Sequence, residues 1–88
     1  MFVILYYDVD QKRCSKMIKK CREYLVWVQN SVFEGNITEA QLKRLIGSLS
    51  KIIKEDENDS LVIYTFESQK YTERIVLGKD KKNNINFI

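Results

Sequence analysis

The sequence predicts an α+β domain in which two helices cover one face of an antiparallel sheet. The chain has 88 residues, a length that suits one domain. It begins with a continuous apolar run, Phe2–Tyr7, which is typical of a central strand covered on both faces. Two segments of helical periodicity then alternate with β-prone segments, in the order βα, ββ, αβ and a last β.

The first helix is predicted near residues 11–24, with Asp10 as its cap. Its apolar residues share an arc of about 100°: Cys14, Met17, Ile18 and Cys21. Its basic residues share an arc of about 120° on the other side: Lys12, Arg13, Lys16, Lys19 and Lys20. One face should therefore pack and the other should be basic. The two cysteines lie about two turns, or ~10 Å, apart, too far for a disulfide, and are predicted to be buried thiols.

The middle of the chain, Leu25–Gly35, is β-prone but contains a polar Gln-Asn-Ser triplet at 29–31. We therefore predict two short strands joined at a bend or bulge. Thr38 and Gln41 then form a capping-box sequence that starts the second helix. Apolar residues continue at helical spacing, so this helix is predicted to run to about Lys54.

The last part of the chain begins with an acidic loop over 55–59, followed by a predicted strand at Leu61–Phe66 and a short last strand at Arg74–Leu77. Two right-handed strand–helix–strand units place both helices on one face, which is the ferredoxin-like arrangement βαββαβ with an extra C-terminal strand. We predict one domain over 1–78 and a tail over 79–88. The uncovered sheet face carries aromatic residues, which predicts a homodimer.

The composition excludes several kinds of active site. The chain has no His and two Cys, so it lacks an imidazole base, a His-dependent nucleophile and the ligands for a zinc site within one chain. Any catalysis must use carboxylates, hydroxyls, amines or a metal held by oxygen. No segment resembles a signal peptide or approaches the ~20 apolar residues of a membrane span, so a cytoplasmic protein is expected.

The basic arc of the first helix predicts nucleic-acid binding. Residues 12–22 carry six positive charges, although the net charge of the chain is only +3. An exposed lysine face with no ligand is the alternative. The concentration of charge on one arc favours phosphate contact without sequence readout.

Three features together resemble the CRISPR-associated protein 2 family: a first strand ending in Tyr7-Asp8, the basic helix after it, and the segment QNSVFEG at 29–35. The resemblance implies a dimer joined through its sheets, with Asp8 facing its symmetry mate across a divalent ion, Mg²⁺ or Mn²⁺. It also implies metal-dependent endonuclease or endoribonuclease activity, or a scaffold role beside CRISPR-associated protein 1, the integrase, on double-stranded spacer DNA. Single-stranded RNA is a further substrate class.

Asp8 is therefore the candidate catalytic and metal-binding residue. One carboxylate is a poor magnesium site, and two-fold symmetry would supply two. The alternative is that Asp8 caps or accepts backbone N–H bonds at the strand end. Without histidine, cleavage should need a divalent ion and increase toward alkaline pH.

The resemblance also assigns candidate roles to other residues. Arg13 is the nearest match to arginines linked to nucleic-acid function, and Tyr7, Ser31 and Phe33 match positions implicated in the family. Trp27 stands where many members have an arginine, and interface packing is expected for it. The tail is expected to dock the integrase or a second subunit; a frayed terminus is the alternative.

Two function classes remain open at this point. The first is an adaptation protein that binds DNA and the integrase. The second is a stand-alone metal-dependent endoribonuclease like the VapD-type toxins, which share this topology. An RNA-recognition domain is disfavoured, because the strands lack the aromatic-and-glycine signature that stacks bases.

Overall fold

A computed structural model of the protein describes residues 1–68, 70, 73–78 and 81. Its main elements are β1 (Phe2–Asp8), α1 (Gln11–Arg22), β2 (Val26–Gln29), β3 (Val32–Asn36), α2 (Glu39–Ser50) and β4 (Ser60–Phe66). The strands form one sheet in the order β2-β3-β1-β4, and every neighbouring pair is antiparallel. The predicted α+β, ferredoxin-like fold is confirmed. Within the described residues, no helix is long and apolar enough to cross a membrane.

Strand β1 alternates between the two faces of the sheet, as pleating requires. Val3, Leu5 and Tyr7 are buried on the face that the helices cover. The other residues of the buried cluster come from the helices, the neighbouring strand and the connections: Met17, Cys21, Leu25, Phe33, Ile37, Leu45 and Leu49. The opposite side of the sheet, called the open face below, has no helix against it among the described residues.

Both predicted helix starts are confirmed. The Asp10 carboxylate accepts a hydrogen bond from the Lys12 backbone N–H at 3.0 Å, which satisfies one of the free amides at the start of α1. At α2 the hydroxyl of Thr38 accepts from the Gln41 N–H at 3.1 Å, and the Gln41 side chain accepts from the Thr38 N–H at 2.9 Å. This reciprocal pair is the capping box that the sequence predicted.

The β2–β3 connection has the predicted irregularity, because the register shifts between Trp27 and Gln29. Asn30 adopts a φ of 45°, a left-handed conformation that asparagine tolerates better than most residues. The indole N–H of Trp27 donates to the Asn30 carbonyl oxygen at 3.0 Å, and its ring packs against the core of its own chain. The ring is only half-buried by these contacts, so the expected interface packing of Trp27 stays a prediction.

Helix α2 ends at Ser50, four residues before the predicted end at Lys54. The N–H groups of Ile52 and Ile53 both bond to the carbonyl oxygen of Leu49, so the backbone tightens into a turn. Ile52 and Ile53 still pack against the core, which explains why the apolar spacing continues beyond the helix.

The predicted last strand is wrong. None of the described residues 73–78 belongs to a strand. Arg74 instead reaches the open face, where its Nε donates to a carboxylate oxygen of Glu34 at 2.8 Å. The segment 74–77 lines a groove together with Ile4, Val28 and Val32 of the sheet, so it faces the sheet without pairing with a strand. The predicted tail, 79–88, lies outside the described residues except for Lys81, and its boundary stays a prediction.

Candidate functional site

Asp8 occupies the last position of β1, and its exposed side chain shares the open face with Ile4 and Tyr6. The backbone there is held on both sides. Asp8 pairs with Ser60 of β4, and the N–H of Tyr7 donates to the Ser31 carbonyl oxygen at 3.3 Å.

The Asp8 carboxylate makes no hydrogen bond or ion pair within the described part of the chain. Asp10 provides the cap of α1, which is the structural role considered as the alternative for Asp8. A solvated carboxylate at the end of a fixed strand is available to an external group, such as a cation or a second protomer.

The site fits a divalent cation only in part. Within the residues that the structure describes, no group of three or more His, Cys, Asp or Glu side chains could hold a metal ion. Mg²⁺ keeps several waters and needs one or two carboxylates, so one Asp8 could hold the ion weakly and a second copy would improve the site. Tyr6 lies on the same face and stacks on Tyr64 with the ring centroids 6.4 Å apart.

Arg13 does not belong to the exposed basic face. Its side chain is 6% exposed and forms a fork with the Asp59 carboxylate, with Nε–Oδ2 at 2.5 Å and Nη2–Oδ1 at 2.9 Å. Its Nη1 donates to Glu57 at 3.3 Å. On the helix Arg13 lies only ~40° from Met17, so the buried face of α1 includes Arg13 if it is centred slightly differently from the predicted apolar arc. The expected phosphate contact is corrected to a buried ion pair.

Asp59 also joins two backbone segments, because its carboxylate accepts from the N–H of Asp10 at 3.0 Å and of Lys54 at 2.8 Å. Hydrogen bonds from Arg13, assisted by these backbone bonds, hold the pKa of Asp59 well below its usual range. The hydrogen bonds to Asp59 likewise raise the pKa of Arg13. Both groups are therefore charged at any pH where the protein works.

The other predicted phosphate-binding residues remain on the surface, but not all of them are unpaired. Lys12 Nζ is 3.5 Å from Glu57, and Lys20 Nζ is 2.9 Å from Glu23. Lys16 and Lys19 are exposed and have no ion pair within the described residues. The acidic loop over 55–59 therefore contacts the start of α1, and the lysines without an ion pair lie in the middle of that helix.

Tyr7, Ser31 and Phe33, the three residues matched through the resemblance, are all buried or half-buried within the fold. Phe33 is fully buried, and its ring stacks on Tyr7 with the centroids 6.3 Å apart. Burial raises the pKa of Tyr7 to about 12, so its hydroxyl stays protonated near neutral pH. Ser31 is half-buried in the β2–β3 turn. Cys14 and Cys21 are free thiols, as predicted, although only Cys21 is buried.

Asp59 is the residue that sequence reasoning missed. It is the last residue of the acidic loop and stands directly before β4. Its position beside a predicted strand was a weak signal, because acidic residues in such loops are commonly solvated. Its partner Arg13 is 46 positions away, and only the pairing of β1 with β4 brings the two together.

Comparison with known proteins agrees with this architecture. The family model for CRISPR associated protein Cas2 matches residues 1–74. The CRISPR-associated endoribonuclease Cas2 of Dictyoglomus turgidum is 47% identical over 81 residues, which are 92% of this chain and 92% of that protein. The protein of the same name from Methanosarcina acetivorans is 38% identical over 88 residues, 100% of both chains.

Solved structures give the same result. A Cas2 crystal structure superposes with a TM-score of 0.82 at 46% identity, covering 92% of this chain and 90% of that chain. Streptococcus pyogenes Cas2 at pH 6.5 superposes with a TM-score of 0.71 at 33% identity, covering 86% of this chain and 100% of that chain. These matches favour the first function class over a VapD-type toxin. Because the family model matches residues 1–74 and relatives at 38–47% identity share its length, the chain belongs to the CRISPR associated protein Cas2 family.

Proposed function

We propose that this protein is a CRISPR adaptation protein, a homodimeric component of the spacer-integration complex that binds nucleic acid and hydrolyses phosphodiesters with a divalent metal. The observation that carries the proposal is the exposed Asp8 carboxylate, which has no partner within the described residues and lies at the end of a strand held on both sides. The relatives at 38–47% identity are named endoribonucleases, which supports the hydrolytic part.

Two copies of Asp8, one from each protomer, would hold the metal, Mg²⁺ or Mn²⁺. The bound ion would polarise a phosphate and lower the pKa of a water molecule. The chain itself supplies negative charge at a fixed position and, on the open face, the exposed rings of Tyr6 and Tyr64, which a second copy can cover. Since it has no histidine, deprotonation of the attacking water depends on the metal or on hydroxide, and cleavage should increase toward alkaline pH.

Nucleic acid would be bound through the exposed lysines of α1, with Lys16 and Lys19 making the main phosphate contacts and Lys12 and Lys20 secondary ones. Double-stranded DNA is the ligand of the adaptation role, and single-stranded RNA is the second substrate class. The integrase of the same complex, CRISPR-associated protein 1, is the protein partner, and the tail over 79–88 is its docking segment. The site of action is the cytoplasm.

Cleavage by the Asp8→Asn protein tests the proposal. The wild type and the variant are incubated with RNA and with duplex DNA at several pH values, with Mg²⁺ or Mn²⁺ and with EDTA. The variant should remain dimeric and lose cleavage, because an amide is a poor ligand for a hard cation. Asp56→Asn is a matched control, since Asp56 is an exposed aspartate of the turn at 55–57.

Equal cleavage by the wild type and the Asp8→Asn protein would remove Asp8 from the reaction. A monomer in equilibrium sedimentation at micromolar concentration would remove the dimer. Co-purification with the integrase tests the scaffold role separately.

A further inference from the structure

We propose that Arg13 and Asp59 are positioning residues for Asp8, and that Arg13 acts through Asp59 and not through contact with nucleic acid. This inference rests on the proposed role of Asp8. It assigns a function to a buried ion pair that links α1, the loop after β1 and the segment before β4.

The first step is the saturation of the Asp59 carboxylate. Its side chain is 1% exposed, and both oxygens are shared between the Arg13 guanidinium and a backbone N–H. One oxygen accepts from Arg13 Nη2 and the Asp10 N–H, and the other from Arg13 Nε and the Lys54 N–H. A bidentate guanidinium fixes the plane of a carboxylate, so the direction of both backbone bonds is fixed as well.

The second step connects this carboxylate to Asp8. Asp59 directly precedes Ser60, which is the register partner of Asp8 in the β1–β4 pair. On the other side, the N–H that Asp59 holds belongs to Asp10, two residues after Asp8. The backbone around Asp8 is therefore tied to the same carboxylate from both directions. Without this carboxylate, the end of β1 would be less firmly held and the Asp8 side chain would no longer have a fixed orientation.

The third step excludes phosphate contact for Arg13. Each of its three guanidinium nitrogens has a carboxylate partner, Asp59 for Nε and Nη2 and Glu57 for Nη1. A phosphate would have to displace two carboxylates from a side chain that is 6% exposed. Lys16 lies on the same helix, is exposed and has no such partner among the described residues, so it is the contrasting residue for an experiment.

Four proteins separate positioning from binding: Asp59→Asn, Arg13→Gln, Arg13→Lys and Lys16→Gln. The first three should cut with a kcat about 10–100-fold lower and an unchanged KM, and their Mn²⁺ affinity, followed by electron paramagnetic resonance, should fall by a similar factor. Arg13→Lys should not rescue activity, because lysine keeps the charge but loses the fork. The salt dependence of duplex binding should change only in Lys16→Gln, by about 0.9 in slope for each protomer that contacts the duplex.

A reduced salt slope in Arg13→Gln, or normal kcat and Mn²⁺ affinity in Asp59→Asn, would overturn the inference. If Asp8→Asn cleaves normally, the proposed function fails first, while Mn²⁺ affinity still tests the positioning. Should the single variants unfold, the Arg13→Met/Asp59→Asn protein removes both charges together and leaves no unpaired buried ion. Wild-type kcat and Mn²⁺ affinity in that folded double variant would refute a positioning role.

Discussion

Replacing Lys16 and Lys19 with glutamine should weaken duplex binding and make the affinity less dependent on salt, because fewer counterions are released from the DNA on binding. Both lysines are exposed on α1 and lack ion pairs within the described residues, so their charges are available to phosphates. Each phosphate contact contributes about 0.9 to the slope of log affinity against log salt, and the double change should lower that slope by about 1.8 for one protomer. Between 50 and 200 mM salt, this corresponds to about 12-fold less loss of affinity, or about 150-fold if both faces of a dimer bind.

Fluorescence anisotropy with a labelled duplex at four or five salt concentrations measures the slope directly. The matched control replaces Lys43 of α2 and Lys51 at its C-terminal cap, both exposed, with glutamine. The control has the same change in net charge, so a general loss of electrostatic attraction would affect both proteins equally. If the two proteins show the same slope, the basic face of α1 is an ordinary solvated surface and the reasoning is wrong.

Two further predictions concern residues inside the fold. Phe33→Leu should lower the free energy of unfolding by about 1–3 kcal/mol in urea titrations, because the ring is fully buried against Tyr7. Cleavage per folded molecule should stay unchanged. A stable variant that does not cleave would show that Phe33 takes part in the reaction. Hydrogen bonds from Arg13 hold the pKa of Asp59 below its usual range, so this carboxylate stabilises the fold above about pH 4 and that stabilisation is lost as the pH falls through the folded-state pKa. The urea midpoint of the wild type should therefore decline in acid more steeply than that of Asp59→Asn, and parallel acid profiles of the two proteins would contradict this assignment.

The features that the sequence predicted correctly depend on neighbours along the chain. The cap at Asp10 and the capping box at Thr38 involve residues two or three positions apart, and the strand character of β1 follows from its own run of apolar residues. The order of these elements then limits the sheet to very few topologies. Local chemistry was therefore sufficient for the fold class.

The incorrect predictions depend on contacts between distant segments. Arg13 lies at the border between the basic and apolar arcs of α1, and periodicity alone does not determine which way a border residue turns. Its burial is decided by Asp59, which the sheet delivers from the far end of the chain. Similarly, Arg74–Leu77 has the composition of a strand, but the Glu34 carboxylate holds Arg74 over the sheet face.

The position of β1 in the sheet has a consequence for the synthesis of this protein. Strand β1 leaves the ribosome before the other described strands and lies between β3 and β4, and β4 is the last strand of the described chain. About 50 residues separate the two strands, which takes roughly 3–10 s at 5–20 residues per second. Throughout that interval, one edge of an apolar central strand has no partner and is open to pairing with other chains. A nascent chain that stalls before Phe66 is therefore at risk of aggregation, and the fold closes only after β4 has emerged.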